Sequence, residues 1–251
     1  RLSQLSSLDD LQEEKNQSIA DFGQYCFVSS WVGNDKELIP MWKMYCHNGE
    51  GVRIKLKKDP FVLYRIDLHD KVELKPGWTS TENAVESCIP SDDYFNESYG
   101  PLSTDPKGLL IKVEYTSDES LLNPVLVKSD SEKFQIIVSP VGKYKNSYWI
   151  FQDEWRYRLW FLPISYITIL QNCENVNLIT QHLINGFLGH KKLPFTYYDL
   201  KIRDSAFETM EIMLSPDITE GNRIIVKALL EKYNPKAVNH ISESCLKNLI
   251  R

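Results

Sequence analysis

Residues 152–161 read Gln-Asp-Glu-Trp-Arg-Tyr-Arg-Leu-Trp-Phe, and this stretch decides the fold. In a β-strand, successive side chains point to opposite faces of the sheet. One face of such a strand is almost wholly aromatic or aliphatic, and it consists of Asp153, Trp155, Tyr157, Leu159 and Phe161. We therefore expect a central strand that turns this face toward the core.

The opposite face of the same strand is polar for most of its length, and it consists of Gln152, Glu154, Arg156, Arg158 and Trp160. An amide, a carboxylate and a guanidinium stand there in a row, at spacings where neighbours can hydrogen-bond. Two interpretations remain open. The face is exposed to solvent and holds an ordinary Glu154–Arg156 ion pair, which contributes little to stability, or it is a row of ligand-contacting groups on a rigid strand.

Two aromatic pairs are candidates for contacts with a flat ligand. Nine aromatic residues fall between positions 144 and 166, and Tyr148 and Trp149 directly precede the central strand. They either stack on a ligand ring or fill the core. Trp42 and Tyr45 lie one helical turn apart and therefore share a helix face. They are either a core pair or a ligand clamp.

Hydrophobic periodicity and turn residues predict the other elements. Strands are expected at 25–31, 52–57, 109–115, 134–138 and 210–214. Helices are expected at 5–22, from Pro40 through Tyr45, at 175–187, and from a Thr219 cap through about Tyr233. The last helix should bury Ile224, Ile225, Ala228, Leu229 and Tyr233.

The first predicted strand ends in Ser29-Ser30-Trp31. The hydroxyl groups of Ser29 and Ser30 can face a cleft there, or the stretch is simply the end of a strand. Strands and helices are mixed along the chain without strict alternation, which indicates an α+β fold. We expect one domain over residues 1–251, with a central mixed or antiparallel sheet flanked by helices. Residues 76–108 are rich in Ser, Pro, Asp, Asn and Gly, so we expect a polar insertion or lid there.

Composition excludes several classes of protein. The chain has 251 residues, of which 42% are hydrophobic and 25% charged, and no stretch approaches the ~18 consecutive apolar residues of a membrane span. A net charge of -5 disfavours a nucleic-acid partner. Five cysteines without a C-x-x-C spacing disfavour a disulfide framework and a structural zinc site, and they fit a cytoplasmic location. We expect neither a metal nor a membrane partner.

Three segments together resemble a bacterial family, the domain of unknown function 2971. The segments are residues 25–54, with Trp42 and Tyr45; residues 145–156, with Lys145, Trp149 and Glu154; and residues 210–233. The family carries a Ser- or Cys-rich strand, a W-x-x-Y helix, a G-[IV]-x-[IV] strand and a later K…[FW]-x-x-E-x-E-x-R block. Where the family often has E-x-E, this sequence has Gln152-x-Glu154. The resemblance implies a shared fold and no particular activity.

The sequence is also similar, more distantly, to the arginine-serine-glutamate class of ADP-ribosyltransferases. These enzymes carry a basic residue on a first strand, a serine on a second strand and an [EQ]-x-E motif on a final strand. Ser29 or Ser30 and the pair Gln152 and Glu154 match the last two elements in order. The resemblance implies that Glu154 holds the ribose of NAD and that Gln152 orients the acceptor. Arg156 and the aromatic Trp149 would then contact the substrate.

Two hypotheses follow from these observations. The first is an NAD-consuming transferase or glycohydrolase, with a bacterial toxin or a phage-defence effector as its expected context; NAD is then the substrate and no metal is needed. The second is a non-enzymatic ligand-binding or sensor module for a small molecule or nucleotide. In that module Trp42, Tyr45 and Trp149 form the pocket, and Glu154 and Arg156 form a buried structural pair. A nuclease is disfavoured by the acidic net charge.

Overall fold

This computed structural model describes residues 1–13, 15–17, 20–67, 84–102, 105–129 and 134–250. The chain divides into two compact units. The sheet unit comprises residues 1–33 and 63–200, and the helical unit comprises residues 34–62 and 201–251. Within the described ranges, no helix is both long enough and apolar enough to cross a membrane.

The elements of the described residues are numbered in chain order. The strands are β1 (Leu2–Gln4), β2 (Cys26–Val32), β3 (Val52–Lys55), β4 (Tyr64–Asp67), β5 (Ala84–Ser87), β6 (Gly100–Leu102), β7 (Leu110–Lys112), β8 (Glu114–Thr116), β9 (Val127–Ser129), β10 (Phe134–Ile136), β11 (Tyr144–Asn146), β12 (Glu154–Leu162), β13 (Tyr197–Tyr198), β14 (Glu211–Leu214) and β15 (Ile241–Glu243). The α-helices are α1 (Ile39–Tyr45), α2 (Ser91–Tyr94), α3 (Pro106–Leu109), α4 (Glu119–Leu122), α5 (Tyr166–Gln171), α6 (Val176–Leu188), α7 (Asp204–Glu208) and α8 (Glu220–Tyr233). Short 3-10 helices lie at Leu5–Ser7, Phe22–Tyr25, His47–Gly49, Ser147–Gln152 and Pro235–His240.

The sheet unit is built around β12. The strand order of its main sheet is β13-β1-β2-β12-β6, and β7 also pairs with β12. Every one of these pairings is antiparallel. Strand β12 therefore has β2 on one edge and both β6 and β7 on the other, which makes it the central strand.

Both faces of β12 are buried. One face contributes Leu159 and Phe161 to an aromatic cluster, in which the Phe27 and Phe161 ring centroids lie 5.5 Å apart. The other face contributes Trp160 and Leu162 to a second core, which contains Phe22, Tyr25, Leu126 and Phe187 among others. The sequence-based assignment of the aromatic face to the core is confirmed for Tyr157, Leu159 and Phe161. Trp155 is only half-buried, and Asp153 precedes the strand.

The helical unit contains a three-stranded sheet of order β15-β14-β3. Strand β14 is parallel to β15 and antiparallel to β3. Helix α8 packs on this sheet through Leu230 and Val226, which lie against Met210, Ile212 and Ala237. Thr219 caps the helix by accepting a hydrogen bond from the backbone N–H of Asn222, 3.3 Å away.

The α+β class is confirmed, and the expected strands near 25–31, 52–57 and 210–214 are present. The helices expected from Pro40, at 175–187 and after Thr219 are present as well. The expected helix over 5–22 is wrong for the described residues, which hold only one 3-10 turn and the start of another. Leu5 and Phe22, which produced the helical spacing, are instead buried in the core beside β12. The expectation that one domain spans the chain stays a prediction.

The expected buried face of α8 is wrong. Ile224, Ile225, Leu229 and Tyr233 are all more than half exposed. The helix carries apolar side chains on more than one side, and the sheet of the helical unit takes the side with Val226 and Leu230. Periodicity identifies the helix, but the packing partners decide which side is buried.

Part of the polar segment 76–108 packs into the sheet unit. Strand β6 pairs with β12, and Ile89, Tyr94, Phe95 and Tyr99 are buried. Residues 76–83 and 103–104 lie outside the described residues. Movement of this segment as a lid stays a prediction.

Candidate functional site

The polar face of β12 is buried at its beginning. The strand begins at Glu154 and not at 152 as expected, because Gln152 ends the preceding 3-10 helix. Gln152 and Glu154 are each 4% exposed, and Arg156 is the largest fully buried side chain of the described residues, at 0%. The interpretation of this face as solvent-exposed is therefore wrong. Buried charges are costly unless they are paired and hydrogen-bonded, so the partners of these groups define the site.

The Lys145 side chain reaches both Gln152 and Glu154. Lys145 lies on β11, and the 3-10 helix Ser147–Gln152 connects β11 to β12. The Asn146 side chain caps this helix by accepting from the Tyr148 N–H, and Asp153 ends it in the left-handed conformation, at φ 41°. As a result, the buried Lys145 Nζ donates to Gln152 Oε1 at 2.9 Å and to Glu154 Oε2 at 3.1 Å.

Glu13 completes the cluster from a distant part of the sequence. Its carboxylate forms an ion pair with Lys145, with Nζ and Oε1 3.0 Å apart. It also accepts a hydrogen bond from Arg156 Nη1. Two carboxylates and two cations are therefore buried together, and their formal charges balance. We call Glu13, Lys145, Glu154 and Arg156 the charge cluster.

Arg156 is held from several directions. Its Nε donates to Glu154 Oε1 at 2.6 Å, and its Nη1 also donates to the Gly142 carbonyl oxygen at 3.3 Å. Burial lowers the pKa of the guanidinium, but the hydrogen bonds and charges of Glu13 and Glu154 outweigh burial and raise it. Within the described residues, Arg156 Nη2 has no hydrogen-bond partner.

Glu154 is held as a carboxylate. Burial alone would raise its pKa, but the hydrogen bond and charge of Arg156, the hydroxyl of Ser30 and the charge of Lys145 together lower it. The Glu154 backbone N–H donates to the Tyr115 hydroxyl oxygen at 2.9 Å. Burial raises the pKa of that Tyr115 hydroxyl to about 12. At neutral pH the site therefore presents an ionised glutamate beside a neutral phenol.

The two serines of β2 lie on opposite faces of the sheet. In the β2–β12 register, Ser30 is opposite Arg156, and Ser29 is opposite Tyr157. Ser30 therefore shares the face of the charge cluster, and its hydroxyl contributes to lowering the pKa of Glu154. The Ser29 hydroxyl accepts from Trp31 Nε1 at 3.0 Å, on the other face. Only Ser30 belongs to the site.

Of the four aromatic candidates, some lie beside the charge cluster and others do not. Trp149 is half-buried, and the Lys145 ammonium lies 5.0 Å from its ring centroid. Tyr148 is strongly exposed. Trp42 and Tyr45 belong to the helical unit, where Trp42 is buried and donates to Glu37 Oε2 at 3.1 Å, whereas Tyr45 is largely exposed. A role of Trp42 and Tyr45 in ligand binding stays a prediction.

Sequence reasoning missed two members of the cluster. Lys145 stands in the segment that resembles the K…[FW]-x-x-E-x-E-x-R block, and this resemblance was the available signal. Glu13 carries no such signal, because it is separated from Arg156 by 143 residues. Within the ranges that the structure describes, no group of three or more His, Cys, Asp and Glu side chains could hold a metal ion.

No protein-family model matches this chain, and the comparisons with curated proteins and with solved structures give no match either. The interpretation of the site therefore rests on its geometry.

Proposed function

We propose that the chain is an NAD-consuming enzyme with ADP-ribosyltransferase-like chemistry, in which Glu154 is the catalytic carboxylate and Ser30 positions it. The observation that carries the proposal is that Ser30 and the ionised Glu154 lie on the same face of the adjacent strands β2 and β12. A serine that orients a glutamate on the neighbouring strand, with Gln152 two residues earlier, is the arrangement that the resemblance implies.

The reaction requires a fixed negative charge beside the ribose of NAD. The bond between ribose C1′ and the nicotinamide nitrogen breaks, the electron pair leaves with nicotinamide, and positive charge develops on the ribose. A preorganised carboxylate stabilises that charge, and the lowered pKa of Glu154 keeps it ionised at neutral pH. Water or an acceptor side chain then bonds to C1′ and loses a proton.

The neighbouring groups fit this chemistry. Ser30 is exposed whereas Glu154 is buried, so substrate would approach from the side of Ser30. Gln152 is oriented by Lys145 and would orient the acceptor. Trp149, beside Lys145, offers an aromatic surface for the nicotinamide ring. A ribose hydroxyl would have to replace one of the present partners of Glu154, since both of its oxygens are engaged.

Nicotinamide release from NAD by the purified chain tests the proposal. We expect Glu154→Gln to lower the rate by about 10²–10³-fold, as for the loss of one preorganised electrostatic group. Ser30→Ala should lower the rate less, because it removes only a neighbouring hydroxyl and leaves the carboxylate of Glu154 in place. Ser29→Ala is the matched control and should leave the rate unchanged, since Ser29 lies on the opposite face. Absence of turnover by the folded chain, or full activity of Glu154→Gln, would contradict the proposal.

A second candidate is a non-enzymatic ligand-binding or sensor module. It is favoured by the balanced charges of the cluster and by the engagement of both Glu154 oxygens. In that case the wild-type chain would not turn over NAD. Glu154→Gln would then act on stability alone, because breaking a buried pair costs about 3–5 kcal/mol. Turnover and urea unfolding, measured on the same variant, separate the two candidates.

A further inference from the structure

Glu13 has no role in the proposed chemistry, yet it contacts both cations of the charge cluster. Its side chain is almost fully buried, and both of its oxygens face cations. The described residues around it belong to turns and irregular chain rather than to a helix or strand. The two cations that it contacts stand on β11 and β12 of the sheet unit. A carboxylate from irregular chain is thus inserted between two cations of a rigid scaffold.

The cations are arranged to hold an oxyanion. Lys145 Nζ and Arg156 Nη1 both reach the same Glu13 carboxylate. Arg156 also has a fully buried Nη2 without a hydrogen-bond partner in the described residues, although a buried guanidinium N–H normally has one. Without Glu13, the remaining Lys145, Arg156 and Glu154 would carry one net positive charge. Guanidinium groups bind phosphate and carboxylate oxygens with paired hydrogen bonds.

We propose that Lys145 and Arg156 form a phosphate-binding site and that the Glu13 carboxylate fills this site as an internal ligand. The chemical class of the external ligand is a diphosphate, such as the one that links the two nucleosides of NAD. The identity of that ligand rests on the proposed function, but the site itself does not. Glu13 and the diphosphate compete for the same two cations, so Glu13 restrains substrate binding.

Binding of inorganic pyrophosphate tests this competition without any need for NAD turnover. We expect Glu13→Ala and Glu13→Gln to bind pyrophosphate at least about tenfold more tightly than the wild-type chain in calorimetric titration, which is a factor expected for removal of a competing internal ligand. Pyrophosphate should also raise the Tm of these variants more than that of wild type, because a ligand that binds only the folded state stabilises it.

Glu154→Gln is the matched control. It removes one negative charge from the same cluster but leaves Glu13 in place, so it should not gain pyrophosphate affinity. Adding Lys145→Gln to Glu13→Ala should abolish the gain. The proposal is overturned if neither Glu13 variant binds more tightly than wild type, or if Glu154→Gln gains equally. Failure of both Glu13 variants to fold would also overturn it, because a side chain that yields to a ligand must be dispensable for folding.

The proposed function can fail independently of this site. Tighter pyrophosphate binding by the Glu13 variants, together with no nicotinamide release by any variant, would leave the phosphate site standing and remove the enzyme. Nicotinamide release without a gain in pyrophosphate affinity would support the enzyme and remove the phosphate site. If both hold, Glu13→Gln should have a lower KM for NAD than wild type.

Discussion

The two units place charged and apolar side chains in opposite environments. The sheet unit buries the four side chains of the charge cluster. The helical unit leaves Ile224, Ile225, Leu229 and Tyr233 of α8 more than half exposed. Residue type alone would predict exposed charged side chains and buried apolar ones, because charged residues are rarely buried unless they are paired. The difference teaches that partners, rather than residue type, decide burial in this chain.

The charge cluster should give the largest effect on stability. Arg156→Met removes one of the two cations that the buried Glu13 and Glu154 carboxylates share and leaves two negative charges with Lys145 alone. We expect the free energy of unfolding to fall by about 3–5 kcal/mol in urea titration. Arg158 lies on the same strand face, but among the described residues its hydrogen bonds go to the Ser139 and Val141 carbonyl oxygens and not to a carboxylate. Arg158→Met should therefore cost less, and equal losses would remove the distinction between the two arginines.

Two adjacent leucines of α8 test whether the apolar side chains of the helical unit are as exposed as the structure shows. Leu230 is 7% exposed and packs on the sheet of the helical unit, whereas Leu229 is 53% exposed. Leu230→Ala should lower the free energy of unfolding by about 2–5 kcal/mol, because it opens a cavity. Leu229→Ala should stay within about 0.5 kcal/mol. Comparable losses in thermal or urea unfolding would mean that the exposed side of α8 is covered in solution.

Lowering the pH should reduce the contribution of the charge cluster to the free energy of unfolding, by less than the substitutions above. Because the folded state lowers the pKa of Glu154, this group stabilises the fold above the ordinary glutamate pKa of about 4.3. That contribution is lost as the pH falls through the lower pKa of the folded state. The difference in unfolding free energy between wild type and Glu154→Gln should therefore shrink from pH 7 to pH 3. A difference that stays constant over this range would contradict the assignment.

The elements that sequence reasoning predicts correctly are those with a strong local pattern. The alternation over 152–161 predicts β12, and the Thr219 cap predicts the start of α8. The helix expected over 5–22 is wrong because Leu5 and Phe22 pack into a core formed by distant parts of the sequence and do not share the face of one helix. Propensity and periodicity are local signals, and tertiary contacts override them.

The candidate site is predictable only in part for the same reason. Glu154 and Arg156 stand on one strand face, which alternation identifies, whereas Gln152 ends the 3-10 helix that precedes β12. The choice between Ser29 and Ser30 depends on the register of β2 against β12, which no local pattern gives. Glu13 joins the site through a contact across 143 residues. Alternation gives no sign of that contact, so it predicts the row of polar groups but not its burial.

The pairing of β2 with β12 also governs how this chain can be made. Residues 26–32 leave the ribosome long before residues 154–162, which supply their neighbour in the sheet. At about 5–20 residues per second, the delay is on the order of ten seconds. During that time one hydrogen-bonding edge of β2 has no native partner from β12. The nascent chain must therefore pass through a period in which an incomplete sheet is open to chaperones and to wrong partners.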